Sequence, residues 1–254
     1  MDYIQENGRV WDMRSENGDT WSQPVSADVT ERARRGDWSI VLTPTKPVPR
    51  DWFPAELAGK KILCLAGGGG QQGPVLAAAG ADVTVFDNSI KQLEKDEFVA
   101  ARDGLQIRTV QGNMQDLSAF TDGEFDCIVH PWSNGYVSDV LPVWRECARV
   151  LKKDGVLLAG FGNPVEYLFD AEKLEKGEFA VRHRIPYADI EHQDDEAIMQ
   201  IARSDGFIWS HTLTDQLQGQ IAAGFAITGF YEDIGGTALD AYINTSIATR
   251  AVRL

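Results

Sequence analysis

A doubly wound α/β sheet, mostly parallel, is the fold the sequence predicts, on three observations. Short apolar runs at residues 61–65, 82–86, 106–110, 127–130 and 156–159 alternate with helical stretches, the pattern of a parallel sheet covered on both faces. A glycine-rich turn, Ala66-Gly67-Gly68-Gly69-Gly70, follows the first run and opens a helix. An acid, Asp87, ends the second run 19 positions beyond Gly68, the spacing at which nucleotide-binding sheets place a carboxylate on the ribose hydroxyls.

The composition narrows the function before any motif is used. A net charge of −14 over 254 residues argues against nonspecific nucleic-acid binding, which needs a basic face. The richest basic patch, Arg32-Ala33-Arg34-Arg35, reads as a solvated helix end. Cys64, Cys127 and Cys147 are odd in number and set in apolar patterns, as small core residues are. The four histidines have no metal-ligand spacing, so no metal is expected. With no leader-like segment or membrane-length apolar run, the expectation is a cytoplasmic protein that does not engage the membrane.

Residues 1–54 precede the core and read as an N-terminal cap or extension, with residues 55–254 forming the main domain. Trp11, Trp21, Trp38 and Trp52 fall in this prelude, either enclosing a small organic substrate or anchoring the segment on the surface. Residues 27–35 predict a helix with Ser26 as N-cap and Gly36 as its stop. Residues 38–42 predict a short strand, and four prolines between Thr43 and Pro54 exclude regular structure there.

The core elements follow in order. Four consecutive glycines cost backbone entropy and bury no side chain, so something is expected to lie close against that backbone. Pro74 suits the first turn of the helix that follows. A helix over residues 89–103 leads to the third strand and the loop Gln111-Gly112-Asn113-Met114, which suits an adenine edge. The turn Asp122-Gly123 precedes the fourth strand, and Pro131-Trp132-Ser133-Asn134-Gly135 stands at its carboxyl end, where open sheets bind ligands. A helix over 137–151, closed by Lys152-Lys153-Asp154-Gly155, leads to the fifth strand. Residues 163–206 read as an irregular acidic insertion with a strand at 178–186 and a charged, solvated loop at 191–196. Residues 207–211 read as a strand and 214–223 as a helix.

In order and spacing these motifs resemble the class I S-adenosylmethionine-dependent methyltransferases. The resemblance rests on Leu63 to Gly70, on Asp87, on Gly112-Asn113-Met114, on Phe125 to His130 and on Arg149 to Gly155. It implies a Rossmann-like, seven-stranded sheet whose closing hairpin, residues 225–231 and 246–252, supplies an antiparallel C-terminal strand, with the 163–206 insertion helping to cover substrate. It implies S-adenosyl-L-methionine as cofactor, held by Ala66, Gly67, Gly68, Gly70, Asp87, Asn88, Asn113, Met114 and the backbone of His130, and leaving as S-adenosyl-L-homocysteine. Cys64 stands where the family commonly has an acid, and Ala66 where it has its first glycine.

The reaction expected is in-line methyl transfer to a small-molecule acceptor. His130 is the first candidate base, and Trp11, Trp21, Trp132, Tyr136 and His211 are candidate substrate contacts. The segment His130-Pro131-Trp132-Ser133 is only distantly like the signature of methyltransferases acting on nucleobase amino groups, and no nucleic-acid substrate is expected. Two alternatives stand beside this reading. Gly68 to Gly73 also satisfies Gly-x-Gly-x-x-Gly, the mark of an NAD(P)-dependent oxidoreductase, and the chain is also readable as a cofactor binder without turnover. The sequence does not speak to oligomeric state.

Overall fold

The computed structural model describes residues 2–254. Helix α1 (Tyr3–Glu16) opens it, capped by the Asp2 carboxylate, which accepts from Ile4 N and Gln5 N. No helix is expected here from sequence, because the residues α1 buries include Asn7, Gly8 and Ser15 and form no apolar stripe. Helix α2 (Ala27–Arg34) lies where expected, though the Ser26 side chain makes no capping bond. The strand expected at 38–42 is absent: one bridge joins Val41 to Pro47. Ile40, Leu42, Val48, Trp52 and Phe53 instead enter the main core beside Ile62, Val129 and Leu158.

The sheet contains β1 (Lys61–Leu65), β2 (Asp82–Asp87), β3 (Ile107–Gln111), β4 (Phe125–His130), β5 (Leu151–Gly162), β6 (Phe225–Asp233) and β7 (Ser246–Arg253). Their order across it is 3-2-1-4-5-7-6, with β1 to β5 mutually parallel and β7 antiparallel to both of its neighbours. The helices around it are α3 (Gln72–Ala78), α4 (Ile90–Asp103), α5 (Leu141–Val150), α6 (Ala171–Glu175), α7 (Glu196–Asp205) and α8 (Gly219–Ala222). Ser89 caps α4 by accepting from Gln92 N, and Gly104 ends it with φ +64.

Five further expected elements are corrected. Helix α5 begins at Leu141 rather than 137, with Pro142 in its first turn. Lys152 to Gly155 do not end a helix but lie within β5, where Asp154 takes φ +62 and the pairing with β4 is irregular. Residues 178–186 and 207–211 contribute only the bridges Phe169 to Val181 and Ala188 to Trp209. Residues 214–223 divide into a π-turn, Thr214–Gln218, and α8.

Strand side chains alternate between two apolar layers. Ile62, Cys64, Cys127 and Val129 face one, with α3 and the N-terminal segment. Leu63, Leu65 and Ile128 face the other, with Val143, Trp144 and Cys147 of α5. Gly160 of β5 meets the N-terminal segment at its closest approach: a Cβ there would lie 2.2 Å from Leu42 O. That carbonyl also accepts from Trp132 N at 3.1 Å. Backbone on both sides cannot yield cheaply, so Gly160→Ala is expected to cost about 1–3 kcal/mol, read as a fall in the urea midpoint. An unshifted midpoint would show that the segment is free to move.

Candidate active site

The carboxyl ends of β1, β2, β3 and β4 open into one cavity of about 340 Å³, within the size range of small-molecule sites. One half is walled by Ala66, Gly67, Gly68, Phe86, Asp87, Asn88, Gly112, Asn113 and Met114. The other half is walled by Trp11, Arg14, Val41 to Pro44, Trp132, Tyr136, Val137, Glu166, Gly235 and Ser246, with Trp21 also in the wall. Among the described lining residues, Arg14 is the one cation, and Asp87 and Glu166 are the two carboxylates.

The close approach expected at the glycine turn is present, but at Gly70 it is not the cofactor that approaches. The turn's closest neighbours are the protein's own atoms: a Cβ on Gly69 would lie 2.6 Å from Trp21 O, and one on Gly70 2.9 Å from Lys95 O. Gly70 does not line the cavity; its carbonyl accepts from Val25 N, and its N–H donates to Asp96. Packing against α4 and the N-terminal segment therefore accounts for Gly69 and Gly70, while Gly67 and Gly68 face the cavity. Ala66 takes φ +46, a left-handed backbone that costs a residue bearing Cβ about 1 kcal/mol. A glycine would be unstrained there.

Asp87 accepts from Gly68 N at 3.0 Å and from Ser89 N at 2.9 Å, one bond to each oxygen. Further lone-pair positions remain on both oxygens. Burial pushes its pKa up, against the pull of these backbone donors. Below it Asp96, wholly buried on α4, accepts from Gly69 N and Gly70 N, both at 3.0 Å. Among the described residues its other oxygen has no partner, nor has Oε1 of Gln92, one helical turn away. Burial pushes the Asp96 pKa up to about 8, with the nearby Asp87 charge acting in the same direction.

His130 does not line the cavity and is fully buried. Its Nδ1 lies 2.9 Å from Leu65 O, a group that can only accept. Nε2 meets the Asn134 side-chain amide at 2.6 Å, and Asn134 continues to Gln216 at 2.8 Å. Burial holds the ring's pKa below the usual histidine value. The ring itself is engaged by Leu65 O and Asn134 and touches the cavity only through the Ser133 hydroxyl, 3.4 Å from Nδ1, so it is placed to hold structure rather than to meet a substrate directly. His130→Ala is expected to cost about 2 kcal/mol through the unpaired Leu65 and Asn134 groups and the space left behind. A melting curve checks this; an unchanged midpoint would return the ring to a functional role. His211 is also buried outside the cavity, its Nε2 2.9 Å from Asn134 O.

The remaining candidates stand in the walls. Asn113 Oδ1 accepts from Gln115 N at 3.0 Å, which fixes its loop beside Met114. Asn88 Nδ2 donates to Ile4 O at 2.6 Å, joining the loop after β2 to α1. The Tyr136 ring stands edge-on to Trp11 at 5.5 Å and to Trp132 at 6.3 Å between centroids. Arg14 lies over Trp11 at 4.4 Å and pairs with Asp19 at 2.7 Å. Helix α1 spans both halves. Asp12 accepts from Ser89 Oγ and Lys91 N, while Asn7 donates to Tyr136 O and Phe207 O and accepts from Phe207 N.

Arg14 and Glu166 were not singled out in the sequence. Arg14 sits in a helix without an apolar period, and Glu166 in an acidic stretch that reads as loop. The one signal available for Glu166 is its nearness to the end of the fifth strand.

Comparison with known proteins assigns the class. A family model described as a methyltransferase domain matches residues 63–159. The uncharacterized methyltransferase YbaJ of Bacillus subtilis is 53% identical over 252 residues, covering 99% of this chain and 98% of that one. A ubiquinone biosynthesis O-methyltransferase of Haemophilus ducreyi is 36% identical over 105 residues, 40% of this chain and 44% of the relative. Among solved structures, an S-adenosylmethionine-dependent methyltransferase from Mesorhizobium loti shares the fold at a TM-score of 0.62 and 20% identity, over 80% of this chain and 95% of that one. The sheet order and the cavity at its carboxyl edge are thus those of a methyltransferase. The chain belongs to the class I S-adenosylmethionine-dependent methyltransferases, the family of YbaJ. S-Adenosylmethionine is its methyl donor, and the oxidoreductase and nonturnover readings are set aside.

The walls fit that cofactor. Asp87 offers carboxylate lone pairs at the end of β2, Gly67 and Gly68 present backbone without side chains, and Asn113 and Met114 border the same space. No helix of the described residues is long and apolar enough to cross a membrane.

Proposed function

We propose that this methyltransferase acts on a small-molecule acceptor held under its N-terminal segment. The observation that carries this is the single cavity running from Asp87 and Asn113 to the chamber of Trp11, Trp132 and Tyr136. A chamber of about 340 Å³ lined by Trp11, Trp132 and Tyr136 suits a small flat molecule better than a polymer chain. Residues 1–54 act as its cap, and residues 163–206, through Glu166, as part of its cover.

When bound, S-adenosylmethionine supplies the electrophilic methyl of its sulfonium. Asp87 accepts from the ribose hydroxyls, and Asn88 steadies the loop beside them. Gly67 and Gly68 lie against the methionine arm, and the Asn113-Met114 loop against the adenine. Arg14 offers the one cation among the described lining residues for the methionine carboxylate, and Cys64, buried within β1 where the family commonly has an acid, offers no carboxylate to the methionine ammonium. The aromatic walls orient the acceptor and exclude water, and such positioning is worth up to about 7–11 kcal/mol of effective molarity. Three buried unpaired thiols suit a reducing compartment, in keeping with a cytoplasmic location.

The test is transfer from tritiated S-adenosylmethionine into fractionated cell extract. Label in the low-molecular-weight fraction is expected. Label confined to protein or nucleic acid would overturn the small-molecule reading while leaving the methyltransferase standing.

A further inference from the structure

We propose that Glu166 is the proton-accepting residue of the transfer, and that the acceptor is an aromatic hydroxyl compound. The inference rests on the small-molecule reading above and extends it to the chemistry of the acceptor.

Glu166 lies in the short turn Pro164–Leu168, directly after β5. Asn163 holds the start of that turn, its Oδ1 accepting from Val165 N at 3.2 Å and its Nδ2 donating to Asn244 O at 3.2 Å. Just before it, the Trp132 indole lies against Gly162, where a Cβ would meet ring atoms at 3.1 Å. One strand end thus brings a flat aromatic wall and a carboxyl to the same side of the chamber, and both line it.

The surroundings leave the carboxyl free for a ligand. Among the described residues it has no hydrogen-bond partner and no cation beside it. The nearest charge is Asp240, whose own oxygens accept from Gly235 N, Gly236 N, Thr237 N and Thr245 Oγ1. Tyr167, its neighbour in the turn, is half-buried and stacks on Tyr187, whose hydroxyl donates to Asp189. Tyr136 faces the chamber with its pKa pushed up to about 12 by burial. Arg14, in the wall contributed by α1, is engaged by Asp19 and Asp205. Burial and the Asp240 charge push the Glu166 pKa up to about 7, a value suited to accepting and releasing a proton at neutral pH.

The acceptor class follows from the walls. Trp11, Trp132 and Tyr136 suit a flat ring, and a neutral O–H is what an unpartnered carboxylate in an apolar wall can bind without a second charge. In the transfer the hydroxyl oxygen forms a bond to the methyl carbon, and the carbon–sulfur bond breaks with its electron pair going to sulfur. The hydroxyl proton passes to the Glu166 carboxylate. The products are an aryl methyl ether, S-adenosylhomocysteine and a neutral Glu166 that returns its proton to solvent.

The experiment uses catechol as the probe on the whole protein and on Glu166→Gln. Calorimetry with S-adenosylhomocysteine comes first, and equal affinity for both proteins shows that the cofactor half is intact. Failure of the wild type to bind it would strike at the methyltransferase assignment instead. Catechol is then titrated into each S-adenosylhomocysteine complex at pH 8, where about tenfold weaker binding is expected for Glu166→Gln. In the wild-type complex a ¹³C-labelled glutamate carboxyl absent from the variant should titrate near pH 7. Transfer to catechol should fall about 10²- to 10⁴-fold in the variant, with loss of the limb near pH 7. The proposal is overturned if catechol binds both complexes equally or neither, or if the variant keeps the wild-type rate and pH profile.

Discussion

Asp87→Ala is expected to weaken S-adenosylmethionine binding about 100-fold, close to 2.7 kcal/mol at 1.4 kcal/mol per decade. Hydrogen bonds to a charged acceptor contribute about 1.5–3 kcal/mol each, and this carboxylate has room for both ribose hydroxyls. The substitution also frees Gly68 N and Ser89 N, which Asp87 now holds. Asp87→Asn separates the two effects, since one oxygen remains to hold a backbone N–H while the charge is lost. Calorimetry should place Asn between wild type and Ala, and undiminished affinity in both variants would overturn the assignment. Because burial raises the Asp87 pKa, wild-type affinity should also decline as pH falls through that raised value.

Asp96→Asn is expected to make the protein more stable at alkaline pH, an unusual direction for loss of a hydrogen-bonded carboxylate. The sign follows from linkage. Asp96 titrates at about 8 when folded and near 3.9 when unfolded, so between these values the native state binds the proton and the unfolded chain does not. Native stability therefore falls as pH rises through this window, by up to about 1.4 kcal/mol per pH unit. Asparagine keeps an oxygen for Gly69 N and Gly70 N and carries no charge at any pH. Melting curves should run close together at about pH 4 and diverge progressively up to pH 8, with Asp96→Asn the higher. Parallel curves across that range would show that Asp96 is not held neutral. The two acids have distinct roles under this account: Asp96 is kept neutral beneath the glycine turn so that Asp87 can carry charge above it.

The legible parts of this chain are those whose pattern has one physical cause. Leu63, Cys64, Ile128 and Val129 read as buried strands because both faces of the sheet are covered, and Asp87 and the Asn113 loop read as ligand positions because strand ends expose them. Gly69 and Gly70 misled, since glycine marks close approach without saying what approaches; here it is Trp21 O and Lys95 O. Lys152 to Gly155 read as a stop because the same residues serve a helix end and a strand bulge. His130 read as a base because its position at a strand end is visible in sequence, whereas the direction of its ring, toward Leu65 and Asn134, is not. Glu166 belongs to no motif, and only the folded chamber distinguishes it from the other acids of residues 163–206.

Helix α1 had no apolar signature because polar side chains dock it, and this bears on how the chain assembles. Its hold on Phe207 spans 200 residues of sequence, and its hold on Ser89 and Lys91 spans about the first third of the chain. During synthesis residues 3–16 emerge some 200 residues before their partners at Phe207. A short helix with little apolar face is only marginally stable alone, and contacts so distant in sequence form late. The segment that roofs the chamber is thus made early and seated late. A nascent chain halted before residue 207 should carry a finished glycine turn and an exposed N-terminus, open to protease until the last strands are in place.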